Sequence, residues 1–60
     1  MNRVVEILVE RDGLTVTEAT AQLENVREML SECDFDPAES EEIISSELGL
    51  EMDYLVDIIY

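Results

Sequence analysis

Leu14-Thr15-Val16-Thr17-Glu18-Ala19-Thr20-Ala21-Gln22-Leu23-Glu24-Asn25-Val26-Arg27-Glu28-Met29-Leu30-Ser31-Glu32-Cys33 is the stretch that decides the fold. It opens with a helix start signal. The Thr15 hydroxyl can accept from the Glu18 N–H, and the Glu18 carboxylate can reach back to the Thr15 N–H, which satisfies two otherwise orphaned donors. Leu14 before the cap and Ala19 after it can form the hydrophobic staple that fixes the angle of entry. Val16, Ala19, Leu23, Val26, Leu30 and Cys33 then follow in alternating steps of three and four residues. That spacing keeps them on one side of a helix. Met29 widens the face, and the helix is predicted over 16–33 or one residue less.

Upstream, Gly13 stands where a helix ends in a left-handed residue, and Leu14 can fold back on Leu8 or Val9. A first helix is predicted over 3–12. Val4, Ile7, Leu8 and Arg11 share one side, with Val5 and Val9 beside them. The β-forming residues Val4, Val5, Ile7 and Val9 also permit a strand, but the chain offers no second strand to pair with. Downstream, Asp34-Phe35-Asp36 is a short link. Asp36-Pro37-Ala38-Glu39 opens a third helix, with Asp as cap, Pro at the first position and an acid in the first turn. Its inner side is Ala38, Ile43, Ile44 and Leu48, and Gly49 ends it with Leu50 as the return contact. A last short helix is predicted over 52–59.

The fold class is therefore all-α, a compact bundle of three main helices plus a short C-terminal helix, in a single acidic domain over 1–60. The expected core is Val4, Leu8, Leu14, Ala19, Leu23, Val26, Leu30, Ile43, Ile44, Leu48, Leu50, Leu55 and Ile58. A chain of 60 residues buries only about 60% of its unfolded surface. With one cysteine and no histidine, it has neither an internal disulfide nor a zinc site to staple it.

Charge is the dominant compositional feature. Sixteen Asp and Glu face three Arg and no Lys, for a net charge of −13, while 47% of residues are hydrophobic. Acidic disordered tails lack that apolar content. Direct contact with nucleic acid needs cations against phosphate, and anionic membranes make the same demand, so neither partner is expected. The longest apolar runs are too short to span a bilayer. The start does not read as a signal peptide, and a lone thiol suits a reducing compartment. A cytoplasmic location is expected.

Glu24, Glu28 and Glu32 repeat every fourth residue on the side away from the seam. Each like-charge pair costs a few tenths of a kcal/mol, and a surface built only for solubility intersperses cations. Carboxylates four residues apart lie about 6 Å apart along a helix, close to the phosphate spacing of a nucleic acid strand. The row can thus face a protein built to bind DNA or RNA. The plainer reading is a solvated face, and salt-tolerant proteins also enrich acids. Here, however, Glu outnumbers Asp and large aliphatics are abundant, which does not fit that style. Further acids fall at Glu39, Glu41, Glu42, Asp53 and Asp57.

The seam of the second helix is short for an intermolecular coiled coil, which favours packing within the monomer. The segment from Ile44 to Ile58 has a helix-turn-helix rhythm. Its second helix offers Glu51, Asp53 and Asp57, which a DNA groove would repel, so the rhythm reads as a tight corner. Tyr54, Leu55, Val56, Ile58, Ile59 and Tyr60 nearly encircle the last helix, more apolar surface than one buried face needs. Either the bundle sandwiches this helix or the patch serves a partner. A homodimer is expected, with contacts from Tyr54, Leu55, Ile58, Ile59 or Tyr60.

Catalytic chemistry has little to draw on. Without His or Lys, acid–base groups reduce to carboxylates, Tyr and one thiol. Cys33 has no basic neighbour to activate it, and Ser40, Ser45 and Ser46 have no base. Asp34-Phe35-Asp36 begins like a calcium loop, but Glu39 and Ser45 occupy the positions of its required Gly and closing Glu. No enzyme activity, cofactor or dedicated metal site is expected.

Arg11-Asp12-Gly13-Leu14-Thr15, Glu18-Ala19 and Leu48-Gly49-Leu50-Glu51-Met52-Asp53-Tyr54-Leu55 together resemble small acidic proteins encoded by phages and prophages. The likeness covers almost the whole chain, with Met52 standing where similar sequences often have Pro. It carries over no active-site residues. It implies an inhibitor of a host enzyme or defence system, acting in the host cytoplasm and in some cases as a nucleic-acid mimic. The expected partner is a basic nucleic-acid-binding protein. The alternative is an assembly module that binds through its apolar C-terminal helix.

Overall fold

The computed structural model describes residues 2–59, and every regular element in it is helical. Helix α1 spans Arg3–Asp12, α2 Val16–Glu32, α3 Pro37–Ile43 and α4 Leu55–Ile59. A strand at the start is excluded, because the segment is helical throughout.

The boundaries follow from cap chemistry. Thr15 and Glu18 form the reciprocal box: Glu18 N–H donates to Thr15 Oγ1 at 3.1 Å, and Thr15 N–H donates to Glu18 Oε1 at 2.9 Å. Asp36 accepts from the Glu39 N–H at 3.1 Å, with Pro37 at the first helical position. Gly13 and Gly49 end their helices at φ of 70° and 65°, where a side chain would add steric cost. Asn2 is a cap that the sequence reading did not assign. Its side-chain oxygen accepts from the Val4 N–H at 2.7 Å.

Two departures concern helix continuity. The third helix does not stay α-helical to Gly49: residues Ile44–Leu48 form a π-helical turn. The Gly49 N–H is shared between the Ile44 and Ser45 carbonyls, and the Leu50 N–H reaches Ile44 at 3.3 Å. The last helix begins as a 3₁₀ turn at Met52–Tyr54 before α4.

A third departure is the turn after α2. The Asp34 N–H donates to Ser31 at 3.1 Å and the Phe35 N–H to Leu30 at 2.9 Å, the paired bonds of a Schellman closure. No glycine supplies the left-handed residue. Asp34 takes φ 52° and Phe35 φ 56°. Asp34 also sets a carboxylate at the negative end of the α2 dipole. Asp34→Gly relieves both terms and is expected to stabilise the fold by about 0.5–1 kcal/mol after the added freedom of the unfolded chain is subtracted. A thermal melt followed by circular dichroism checks this, and a lowered melting temperature would contradict the assigned strain.

Helix α2 is the central element, and α1, α3 and α4 all pack against it. Ala19, Leu23, Val26 and Leu30 are buried, so the seam is spent inside the monomer, while Val16 at its start is exposed. They meet Val4, Val5 and Leu8 of α1, Ile44 and Leu48 of the π turn, and Ile58 of α4 in one cluster. The expected core needs correction at its edges. Leu14, Ile43, Leu50 and Leu55 are half-buried against the cluster, and Ala38, expected on the inner side of the third helix, is exposed. Val5 and Ser40 are buried instead. Ser40 shares a face with Ile44 and Leu48, and its hydroxyl has no hydrogen-bond partner, a desolvation cost that the surrounding packing must offset.

Candidate functional site

The three arginines are all engaged with the fold. Arg3 stacks over Tyr54 at 4.9 Å from the ring centre and pairs with Asp57 at 3.7 Å. Arg11 donates to the Leu48 carbonyl at 2.6 Å and the Gly49 carbonyl at 3.4 Å, where α3 and its π turn end. Arg27 donates from Nε to the Ile58 carbonyl, at the end of α4. Arg11 and Arg27 thus meet helix C-termini, where unpaired carbonyls and the dipole favour a cation. Asn2 adds a bond from Nδ2 to the Asp57 carbonyl at 2.6 Å. These cations tie the C-terminal segment to α1 and α2, a role that sequence order could not reveal.

Three cations cannot offset sixteen acids, so the acids remain largely unneutralised. Of sixteen carboxylates, only Asp12 and Asp57 have a cation within ion-pair distance among the described residues. Glu24, Glu28 and Glu32 are exposed along α2, and the four-residue step sets them in one row. Glu39, Glu41 and Glu42 are exposed on α3, and Asp53 on the 3₁₀ turn. Asp57 differs from the rest, being half-buried and paired with Arg3. No basic residue stands in the last turn of α2. The end of the acidic row is therefore opposed by the helix dipole as well as by its own neighbours.

Two carboxyls are held below their ordinary range by hydrogen bonds. Asp12 is lowered by the Arg11 guanidinium, and Glu18 by the backbone N–H and then the hydroxyl of Thr15. Both favour folding above the unfolded carboxylate pKa, and that contribution fades as pH falls through the lowered values. The larger electrostatic term is repulsion. The fold measures 29 × 18 × 17 Å, so at a Debye length of about 30 Å, near 0.01 M salt, every charge feels the others. At about 0.15 M the length drops to about 8 Å. The melting temperature is expected to rise over that interval; a fall would contradict net repulsion.

The apolar C-terminal patch is smaller than the sequence implied. Ile58 is fully buried in the molecule's own core and is not available for a dimer contact, which corrects its assignment. Tyr54 and Leu55 are half-buried. Tyr60 lies outside the described residues. Val56, 64% exposed, and Ile59, 38% exposed, remain one turn apart on α4. Val16 and Phe35 are the other large exposed apolar residues among those described.

Among the described residues no pocket opens into the fold, no group of three His, Cys, Asp or Glu is disposed to hold a metal ion, and no helix is long and apolar enough to cross a membrane. Cys33, half-buried, donates its thiol to the Leu30 carbonyl at 3.3 Å. Comparison with protein-family models, curated proteins and solved structures finds no match to this chain.

Proposed function

We propose that this chain is a binding protein whose acidic surface occupies the Lys/Arg groove of a nucleic-acid-handling protein, as a phage-type inhibitor would. The observation that carries the proposal is the exposed row Glu24, Glu28 and Glu32, left without a counter-ion among the described residues while every arginine is engaged with the fold. A solubilising surface has no need to concentrate like charges at the end of a helix where the dipole opposes them. A rigid row of carboxylates about 6 Å apart instead meets a groove spaced for phosphates. Such association is steered by long-range fields and weakens steeply with salt.

The test is affinity capture from the cytoplasm of the native host, repeated with Glu24, Glu28 and Glu32 all changed to Gln. Basic nucleic-acid-binding proteins should be enriched with the native chain, released by moderate salt and absent with the variant. Captured proteins without that enrichment, or complexes indifferent to molar salt, would refute the proposal.

A second reading rests on Val56 and Ile59, which remain exposed on α4. In it, the acids only solubilise, and these two side chains bind a second copy or another subunit. Light scattering decides for the homodimer: a dimer that reverts to monomer on Val56→Ser with Ile59→Ser supports it, and a monomer at high concentration and moderate salt rejects it.

A further inference from the structure

The acidic row ends at a turn that carries an exposed aromatic residue. Closing α2 requires one left-handed residue, and Asp34 supplies it. Phe35 follows as a second, at φ 56°, a conformation that is an outlier for a bulky side chain. The added strain leaves Phe35 45% exposed. Glu32, Asp34 and Asp36 are exposed on either side of it, and Pro37 stiffens the chain beyond. Strain that persists while so much of an aromatic residue stays in solvent marks a position shaped for a contact.

We infer that Phe35 is an apolar anchor for the partner, a basic protein surface with an apolar pocket beside its cations. This rests on the acidic surface being the binding face. The occupant follows from charge complementarity, since the charged residues that flank Phe35 in sequence, Glu32, Asp34 and Asp36, are all acidic and the same turn of a second copy would bring like charges against it. The division of labour is physical. The row steers encounter and sets the salt dependence, while a ring desolvated at the centre of a contact slows dissociation.

Two helical peptides of equal charge test this: one with Arg on one face and Leu on the other, and a second with Ser replacing each Leu. The native chain should bind the Leu peptide about tenfold more tightly or better, the scale of burying one large apolar side chain. Phe35→Gly should abolish that preference, leave the affinity for the Ser peptide unchanged and melt no lower than the native chain, because glycine adopts the turn freely. Changing Glu24, Glu28 and Glu32 to Gln should weaken both peptides equally and preserve the preference. A preference that survives Phe35→Gly, or that disappears instead with Val56→Ser and Ile59→Ser, overturns the anchor and leaves the acidic reading standing. A melting temperature lowered by Phe35→Gly also overturns it, by showing that the ring serves the fold. Equal binding of both peptides to the native chain and to the Gln variant refutes the acidic reading itself.

Discussion

Leu30→Ala is expected to bring the chain to the edge of unfolding at room temperature. Leu30 is fully buried on α2, the helix against which α1, α3 and α4 all pack. Truncating such a leucine costs about 2–5 kcal/mol, the transfer term plus the cavity left behind. A domain of 60 residues carries about 3–9 kcal/mol in total on the usual per-residue scale, and small domains fall toward the lower end. Ile59→Ala, at an exposed position on α4, is expected to stay within about 0.5 kcal/mol of the native chain. Urea titrations of the two variants beside the native protein separate them. A Leu30→Ala midpoint equal to the native one would show that the core is not centred on α2.

Arg11→Ala should cost about 1–2 kcal/mol, an unusual loss for a surface-exposed side chain. Its guanidinium spans two carbonyls, Leu48 and Gly49, and so ties the end of α1 to the end of α3 and its π turn. Removal leaves the part-buried Leu48 carbonyl without this partner, takes a cation away from a helix C-terminus and deepens the charge imbalance. The pairing with Asp12, at 2.9 Å, is exposed and adds little. Arg11→Lys keeps the charge but not the planar fork, so it should retain only part of the stability. Denaturant midpoints check the order native, Lys, Ala; an Ala variant as stable as the native chain would show that the carbonyl contacts contribute nothing.

What was legible in the sequence is what local chemistry determines. Thr15 with Glu18, Asp36 with Pro37, Gly13 and Gly49 each fix a boundary within a few residues of themselves, and the three-four spacing of α2 identifies Ala19, Leu23, Val26 and Leu30 as inward. Ser40 was readable as well, since it stands four residues before Ile44 and eight before Leu48, but a pattern of apolar residues alone passes over a hydroxyl. Asn2 was a legible cap left unassigned. The left-handed pair Asp34 and Phe35 was not legible, because the usual glycine signal is absent. Nor was the π turn at Ile44–Leu48, which no local residue type announces. For the binding surface, the exposed acids could be named from spacing and composition. That they stand uncompensated depends on where Arg3, Arg11 and Arg27 reach, and those reaches cross between elements distant in the chain.

The engagement of the arginines also bears on proteolysis. Trypsin cleaves after Arg or Lys, and this chain offers it only Arg3, Arg11 and Arg27. Each of these lies within α1 or α2 with its guanidinium bonded to or stacked on another element at the surface, and Asp12 and Glu28 stand just after two of them. A protease needs an extended, detached segment, so cutting within these helices must wait for the chain to open. Where opening and closing are fast relative to cleavage, the digestion rate reports the population of open molecules. Resistance to trypsin is then a direct gauge of this protein's folding equilibrium, and any partner that binds only the closed form should lengthen its survival.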